Sequence, residues 1–210
     1  MERKGILLVV SGFSGAGKGT LMKSLVKAYD NYALSISMTT RTPREGEEEG
    51  KAYFFVEEKE FLEKIKEEKV IEYAKYCGNY YGTPKEYVEN MLHQGKDVIL
   101  EIEIQGALKV KKQYPDALLL FVMPPSASEL ERRLTGRGTE TKEVIHQRML
   151  RAVEEAEGIE AYDYILINDQ LEDCVKELHN LVMAAHNTPE RNQEFINNIR
   201  KELKSLSKGE

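Results

Sequence analysis

The chain has 210 residues, of which 41% are hydrophobic and 31% are charged, and its formal net charge is -6. This length suits one well-buried core with inserted subdomains better than two independent domains. The acidic balance excludes a general basic face for long nucleic acids, so we predict no nucleic-acid partner and expect any polyanion site to be a local cluster of arginine and lysine.

The beginning of the chain resembles a short signal peptide, with two basic residues before the apolar run 6–10. That run is short and a glycine-rich turn follows it at once, so a buried first strand fits better. No apolar run approaches the roughly 20 residues that cross a bilayer, and we predict no membrane partner. Cys77 and Cys174 lie far apart. Reduced cysteines in a cytoplasmic protein are favoured over a single disulfide, which the sequence leaves open.

The first motif with clear chemistry is the stretch "SGFSGAGKGT", residues 11–20. It lies between the apolar strand and a helical pattern that starts near Lys18, and residues 12–18 match G-x-x-x-x-G-K. In such a loop, glycines let backbone N–H groups approach phosphate oxygens, the helix N-terminus adds positive charge, and the lysine reaches the terminal phosphates. A glycine-rich turn without ligand is the alternative, and the flanking strand and helix favour a nucleoside triphosphate site.

The loop departs from the usual pattern directly after its lysine, where Gly19 stands in the place of a serine or threonine and Thr20 follows. The hydroxyl is thereby displaced by about 100° around the helix. We expect the cradle of amides to be intact, while a direct bond between this hydroxyl and magnesium stays open.

The following segments alternate between strand and helix patterns. Residues 53–56 are strand-like, 57–69 form a surface helix, and 70–73 with 78–83 form a hairpin that turns at Gly78 and Asn79. A helix begins at Pro84, and further buried strands are predicted at 97–102, 118–122 and 164–167. Apolar strands separated by helices predict an α/β fold with a parallel sheet that is covered on both faces.

Two helices follow the third buried strand. Ser126 and Glu129 have the spacing of a capping box at the start of the first helix. This helix ends near residues 135–139, where Arg137 lies between two glycines, and the next helix carries Arg148 and Arg151. The arrangement suits a mobile cap over anionic ligands, with a plain surface loop as the alternative.

The last segment contains an amphipathic helix. Residues 188–190 mark its start, and Phe195, Ile199, Leu203 and Leu206 recur at helical spacing. We expect this helix to dock on the protein's own core rather than to bind a partner.

A second anion site is predicted around two arginines. Arg41 and Arg44 flank Thr42 and Pro43, and the proline keeps the segment out of regular helix. Two guanidinium groups there can hold a phosphate through forked hydrogen bonds, and the phenols of Tyr53 and Tyr81 can complete the clamp. Each of these residues, taken alone, is equally well explained as a solvated surface residue.

Glu72 follows two apolar residues in a predicted strand, where a charge needs a partner. Its carboxylate can accept hydrogen bonds from N1–H and N2–H of guanine, and the hydroxyls of Ser37 and Thr83 can donate to O6. Adenine reverses this pattern and would leave buried polar atoms unpaired, at a cost of about 1–3 kcal/mol each. The residues therefore favour a guanine nucleotide.

Together these motifs give a family resemblance. The sequence resembles the guanylate kinases, in the nucleoside monophosphate kinase group of P-loop kinases. The resemblance covers roughly residues 6–170 in the family's order, and its segments are "SGFSGAGKGT", "SISMTTRTPREGE", "GKAYFFV", "VIEYAKYCGNYYGTP", "VILEIEIQGA", "LTGRGTET" and "YILIND".

The resemblance implies a three-layer P-loop kinase fold with a central parallel sheet, an inserted GMP-binding subdomain and a helical lid. The stretch after about residue 186 goes beyond what it implies. The expected divisions are a core of residues 1–34, 86–125 and 152–186, a GMP-binding subdomain of 35–85, a lid of 126–151, and a C-terminal helical extension of 187–210.

The implied reaction is ATP plus GMP giving ADP plus GDP, in purine nucleotide metabolism and GMP recycling, with dGMP as a further acceptor and Mg²⁺ accompanying ATP. ATP and GMP are the expected partners, and the chain is a monomer or a homo-oligomer. The alternatives are a monophosphate kinase of another base specificity and a catalytically silent guanylate-kinase-like domain that binds proteins.

The resemblance also implies site residues. On the ATP side these are Ser14, Gly15, Ala16, Gly17, Lys18, Gly19, Thr20, Arg133, Arg137 and Asn168. On the GMP side they are Ser37, Arg41, Arg44, Tyr53, Glu72, Tyr81, Thr83, Glu101 and Glu103. The catalytic residues implied are Lys18, Arg41, Arg137 and Arg148.

Two features of the implied site stay open. No direct protein ligand for the metal is implied: Mg²⁺ is held by the ATP phosphates, with Thr20 or Glu101 acting through water. The family often has aspartate at one or both of the positions of Glu101 and Glu103, so the longer arm of Glu103 leaves open whether its contact is direct.

Overall fold

The computed structural model describes residues 4–76, 78–136 and 141–207. Its strands are β1 (Leu7–Gly12), β2 (Tyr32–Leu34), β3 (Met38–Thr39), β4 (Phe54–Phe55), β5 (Val70–Tyr76), β6 (Asn79–Pro84), β7 (Asp97–Glu101), β8 (Leu118–Met123) and β9 (Tyr164–Ile167). Its helices are α1 (Lys18–Ala28), α2 (Glu58–Lys66), α3 (Lys85–His93), α4 (Ile104–Gln113), α5 (Ala127–Gly136), α6 (Lys142–Ala156), α7 (Leu171–His186) and α8 (Gln193–Ser207).

The central layer is a five-stranded sheet in the order β2-β7-β1-β8-β9. All of its neighbouring strands are parallel; Leu8 pairs with Ile99 on one side and with Leu118 on the other. The prediction of a parallel α/β sheet is therefore confirmed.

Alternate residues of β1 pack into two separate cores, because successive side chains of a strand point to opposite faces. Leu8 and Val10 join the core that contains residues of α1, α5 and α7. Leu7 and Val9 join the core that contains residues of α3 and α4. Helices therefore cover both faces of the sheet, and the predicted three-layer fold is confirmed.

A second sheet lies within residues 38–84 and has the strand order β4-β3-β6-β5. β5 and β6 are antiparallel and form the predicted hairpin, with Gly78 in the left-handed region at φ 81°. This sheet falls inside the segment 35–85 that was predicted to bind GMP, and that assignment stays a prediction. Helix α6 runs without interruption across the predicted lid boundary at residues 151 and 152.

The predicted capping box at α5 is half right. The backbone N–H of Glu129 donates to Ser126 Oγ at 3.1 Å, as the motif requires. The Glu129 carboxylate instead accepts hydrogen bonds from Arg132 Nε at 2.6 Å and Arg133 Nε at 2.7 Å. Guanidinium groups compete successfully here because both partners of these bonds are charged, whereas in a bond to the backbone N–H only the carboxylate is.

The expectation that the last helix docks on the core is wrong. Among the described residues of α8, none is buried, and Phe195, Leu203 and Leu206 are 53%, 59% and 74% exposed. Helical spacing predicted the apolar stripe, but a stripe does not determine what it packs against.

Arg137 and Cys77 lie outside the described residues, whereas Cys174 is a buried free thiol. Across the ranges described, no helix combines the length and the apolar character needed to span a membrane.

A buried carboxylate joins the amino ends of the central strands to the end of α7. Asp97 accepts hydrogen bonds from the Ile6 N–H at 2.7 Å, from Asn31 Nδ2 at 2.8 Å and from His186 Nε2 at 2.7 Å. Because a carboxylate only accepts, Nε2 carries the proton in this contact. The side chains of Asp97 and His186 are 2% and 5% exposed, so neither can replace its partner with water.

Replacing Asp97 with alanine is expected to lower the free energy of unfolding by about 3–5 kcal/mol, since removing one partner leaves buried donors unpaired. Denaturant unfolding measures this loss. The matched control is Asp173→Ala, which removes a 79% exposed carboxylate that pairs with Lys176 on the surface; it should cost less than about 1 kcal/mol. Equal losses in the two variants would contradict the structural role of Asp97.

Candidate active site

The glycine-rich loop connects β1 to α1 at the carboxyl end of the central strand. Gly12 has φ 151°, and a Cβ there would lie 2.0 Å from the carbonyl oxygen of Val122. Gly17 has φ 88°, and its Cβ would lie 2.6 Å from Asn168 Nδ2. Both positions require glycine, because they combine a left-handed backbone with close neighbours. The N-terminus of α1 then presents its unpaired N–H groups at the loop.

Lys18 lies at the junction of two cavities. Its ammonium donates to the carbonyl oxygens of Gly12 at 2.7 Å and Phe13 at 3.2 Å. One cavity, of about 350 Å³, is formed mainly by the loop, and the other, of about 500 Å³, extends toward α6. Both are lined by Ser14, Lys18 and Glu101. The ammonium group of Lys18 therefore borders both the loop cavity and the cavity that extends toward α6.

Side chains from α6, α5 and the end of β9 contact the loop. Arg148 Nη1 donates to Ser14 Oγ at 2.6 Å. Asn168, which follows β9 and is buried, donates through Nδ2 to the Ala16 carbonyl at 2.8 Å. Arg133 Nη1 lies 3.5 Å from the same carbonyl. Asn168 and Arg133 thus brace the loop at Ala16, and the place in the ATP site that the resemblance implies for them stays a prediction.

Glu101, the last residue of β7, and Glu103, two residues beyond it, have different surroundings. Glu101 lies beside the loop, with Oε2 3.9 Å from the position of a Cβ on Gly19. Glu103 is 74% exposed and pairs with Arg151 Nη2 at 2.6 Å. Arg151 also donates through Nε to Glu155 Oε1 at 3.1 Å. The long arm of Glu103 therefore reaches α6, and its predicted contact with GMP stays a prediction.

Glu155 is a site residue that the sequence analysis missed. It lines the cavity that extends from Lys18, and its Oε2 is buried without a hydrogen-bond partner among the described residues. Burial raises the pKa of this carboxyl, while its bond to Arg151 acts in the opposite direction. Its position in a helix with several other glutamates gave no signal that would distinguish it.

The predicted clamp residues Arg41, Tyr53 and Tyr81 come together on the second sheet. The Arg41 guanidinium carbon lies 5.4 Å from the centre of the Tyr53 ring, and the Tyr53 and Tyr81 rings pack edge to face at 6.0 Å. The Arg44 side chain is exposed nearby. The sequence analysis missed Glu47, whose carboxylate binds Arg41 through two hydrogen bonds of 2.9 Å. The acidic run 45–49 indicated that a carboxylate lies near the arginines, but it did not show which residue pairs with Arg41.

The predicted base-reading residues also lie around one point. Thr83 Oγ1 donates to Glu72 Oε1 at 2.8 Å. Gly82 pairs with both Met38 and Tyr73, so Ser37 and Glu72, which precede them, lie at the Thr83 end of their strands. Burial raises the pKa of Glu72, and the Thr83 bond and the charge of Lys109 oppose this.

Helix α4 forms the wall behind Glu72. A Cβ on Gly106 would lie 3.5 Å from Glu72 Oε2, in ordinary van der Waals contact. The carboxylate is therefore enclosed between the second sheet and the helix that follows β7, at the carboxyl edge of the central sheet. Ligands of open α/β sheets bind at this edge.

Comparison with known proteins agrees with this geometry. A family model described as guanylate kinase matches residues 4–185. A guanylate kinase of Bacillus cereus is 51% identical over 191 residues, which cover 90% of this chain and 93% of the relative. The crystal structure of guanylate kinase from Anaplasma phagocytophilum superposes with a TM-score of 0.69 at 32% identity and covers 91% of each chain.

The comparisons also bear on the C-terminal extension. The family match ends at residue 185, next to the end of α7. A guanylate kinase of Listeria monocytogenes aligns over 207 residues at 45% identity, covering 98% of this chain and 100% of the relative. The segment after residue 186 therefore lies outside the family match but has a counterpart in this relative. The chain belongs to the guanylate kinase family.

Proposed function

We propose that this protein transfers the γ-phosphoryl group of ATP to GMP, giving ADP and GDP, with dGMP as a second acceptor. The observation that carries the reaction is the position of Lys18, which borders both the loop cavity and the cavity that extends toward α6. A cation at that junction can contact a phosphoryl group while it passes from one nucleotide to the other.

The reaction requires positioning and charge stabilisation more than proton transfer. The phosphate of GMP is already a nucleophile, so no general base is needed. Lys18 acts on the transferring phosphoryl group, and Arg148, which contacts the loop at Ser14, approaches it from the α6 side. The lid role of Arg137 rests on the family resemblance, since this residue lies outside the described ranges.

The acceptor site holds GMP at its two ends. Arg41 and Arg44, with the phenols of Tyr53 and Tyr81, bind the phosphate. Glu72 accepts N1–H and N2–H of guanine, and Ser37 donates to its O6, whereas the single hydroxyl proton of Thr83 is donated to Glu72. The Thr83 bond to Glu72 supports this assignment, because it orients the carboxylate before the base arrives.

The residues at the loop fit the Mg²⁺ that accompanies ATP in kinases. Thr20 and Glu101 offer oxygen atoms in the cavity that Lys18 lines. Magnesium prefers oxygen donors and is usually held by one or two carboxylates, waters and substrate phosphates. The bound ion would neutralise charge on the β- and γ-phosphates. Thr20 and Glu101 are the residues that would hold it, through water.

Two other functions are disfavoured by particular residues. A kinase for AMP conflicts with Glu72, because adenine N1 is an acceptor and gives the carboxylate no donor. A pyrimidine nucleotide also fits poorly, because its base does not offer the two adjacent N–H groups that guanine presents. A silent protein-binding domain conflicts with the intact loop, in which Lys18 and Arg148 are both in place. Measuring ADP formation in a coupled assay with GMP, AMP and UMP separates the three: the proposal requires GMP to be the preferred acceptor.

We place this reaction in the cytoplasm. The thiol of Cys174 is free and buried, and burial raises its pKa to about 11. Unpaired cysteines of this kind fit a reducing compartment.

Replacing Lys18 with alanine is expected to lower kcat by about two to three orders of magnitude, the loss that follows removal of one transition-state donor. The midpoint of thermal unfolding should change little. The matched control is Lys27→Ala, which removes an exposed lysine from the last turn of the same helix and should retain activity. Near-normal turnover in Lys18→Ala would contradict the assignment.

Glu72 must be ionised to accept both N–H groups, and burial raises its pKa. We therefore expect KM for GMP to rise as the pH falls through that raised pKa, while KM for ATP does not follow. In Glu72→Gln the KM for GMP should be higher by about ten- to a hundredfold, the effect of losing a hydrogen bond to a charged group.

The same variant is the control for pH. The phosphate of GMP titrates in a similar range, but it does so with both proteins, so the difference between wild type and Glu72→Gln isolates the carboxyl. Measurement of KM for both nucleotides from mildly acidic to neutral pH decides the matter. Parallel pH profiles in the two proteins, or equal effects on ATP and GMP, would count against Glu72 as the base reader.

A further inference from the structure

The loop between β3 and β4 contributes one carboxylate to the arginine cluster. Glu47 accepts hydrogen bonds from Arg41 Nη1 through Oε2 and from Arg41 Nη2 through Oε1, both at 2.9 Å. The side chains of Arg41 and Glu47 are 14% and 22% exposed, so the pair is partly withdrawn from solvent. The pKa of Glu47 is lowered mainly by the hydrogen bonds from Arg41 and, to a smaller extent, by the bond from the Arg44 backbone. In turn, the bond to Glu47 raises the pKa of Arg41.

Glu47 is itself fixed by the backbone of Arg44. The Arg44 N–H donates to Glu47 Oε2 at 2.8 Å, and the Glu47 N–H donates back to the Arg44 carbonyl at 3.1 Å. Gly46, in the left-handed region at φ 82°, permits this tight turn. One carboxylate therefore connects the side chain of the first arginine to the main chain of the second.

These contacts determine which edge of the Arg41 guanidinium can face a ligand. The two bonds to Glu47 use one N–H of each terminal nitrogen, and Nη1 donates again to the Thr42 carbonyl at 2.8 Å. A guanidinium has five N–H groups, and the other two, on Nε and Nη2, point to the same side of the plane. That edge is a fork with the geometry that phosphate oxygens accept.

Aromatic rings restrain the same group from its flat side. The guanidinium carbon lies 5.4 Å from the Tyr53 ring centre and 6.0 Å from that of Phe55. The Arg41 N–H also donates to Thr39 Oγ1 at 3.2 Å, which fixes the start of the side chain. The rotation of the guanidinium plane is set by its bonds to Glu47 and to the Thr42 carbonyl, and Glu47 supplies two of these three. A hydrogen bond with Tyr81 also acts on the Arg41 side chain.

We propose that Glu47 is a positioning residue for the phosphate of the acceptor nucleotide, and that it acts by holding Arg41 with its Nε–Nη2 edge toward that phosphate. This inference rests on the proposed function, since the phosphate belongs to GMP. Glu47 has two opposite effects on anion binding: its negative charge weakens the attraction, and its hydrogen bonds orient the fork. Orientation dominates, because a long flexible side chain that is ordered before binding has little entropy left to lose when the ligand arrives.

The test replaces Glu47 with glutamine, which has nearly the same shape but directs an NH₂ group at one guanidinium nitrogen. KM for GMP should rise about tenfold or more, while KM for ATP stays within about twofold. The matched control is Glu48→Gln in the same loop, where the carboxylate is 65% exposed and pairs with Lys51 at 2.5 Å. It removes the same charge without touching Arg41 and should leave both KM values unchanged.

A double-mutant cycle shows whether Glu47 acts through Arg41. In the Arg41→Ala background, Glu47→Gln should add less than about twofold to the loss in kcat/KM for GMP, because its hydrogen-bond partner is gone. A purely structural role predicts instead that the two losses multiply and that ATP is affected equally. Either of those results, or equal behaviour of Glu47→Gln and Glu48→Gln, overturns the proposal.

The outcomes separate this proposal from the function on which it depends. If the wild-type protein forms no GDP from GMP, the proposed function fails. If the wild type turns over GMP but Glu47→Gln behaves like the control, the inference about Glu47 alone fails.

Should Glu47→Gln not fold, as judged by thermal unfolding, the Glu47→Asp variant decides. Aspartate keeps the charge, but its side chain is too short to span both Arg41 nitrogens and the Arg44 N–H. A rise in KM for GMP alone supports the proposal, and unchanged values overturn it.

Discussion

The burial of β1 between two other parallel strands is the constraint on which the site depends. Its residues Leu7 to Ser11 are buried, and they pack alternately into the two cores. The backbone at Gly12 approaches Val122 so closely that no Cβ fits. Because interiors of this kind are close-packed, the loop after Gly12 has one available course. The path of the loop in turn fixes the positions of the N-terminus of α1 and of Lys18, so positive charge lies at a defined point of the sheet edge.

Local patterns predicted the parts of the molecule that depend on local physics. The run 6–10, the glycine loop and the β5–β6 hairpin carry their own periodicity or turn residues. β2 and β3 are three and two residues long, too short for a period, and they form because β7 and β6 supply partners. The bond between His186 and Asp97 joins residues 89 positions apart, and the Glu47 contact depends on a turn. Such pairings follow from the tertiary fold, which no single-sequence pattern contains.

An acidic protein that binds two polyanions must cluster its basic side chains at the binding sites. In this protein, neighbouring carboxylates also hold several of those arginines in place. Arg41 is bonded to Glu47, Arg133 to Glu129, and Arg151 to Glu103 and Glu155. Each pair lowers the local positive charge, which weakens long-range attraction. In return each guanidinium has a fixed orientation before a nucleotide arrives, and preorganised charge is more effective in a transition state than charge that must still reorient. The net charge of -6 is thus compatible with phosphate chemistry.

Glu47 and Glu129 differ from Glu72 in the direction in which their surroundings shift the pKa of the carboxyl group. Arginine partners lower the pKa of Glu47, and they lower that of Glu129 to about 2, so these groups stay ionised and orient cations over the whole working range. Glu72 is buried beside a hydroxyl, and desolvation raises its pKa. Its charged form is therefore less stable than in water until donors reach it. In the proposed site, guanine would bring two N–H groups to that point, so the unfavourable burial of Glu72 in the empty protein would become selectivity for the base that relieves it.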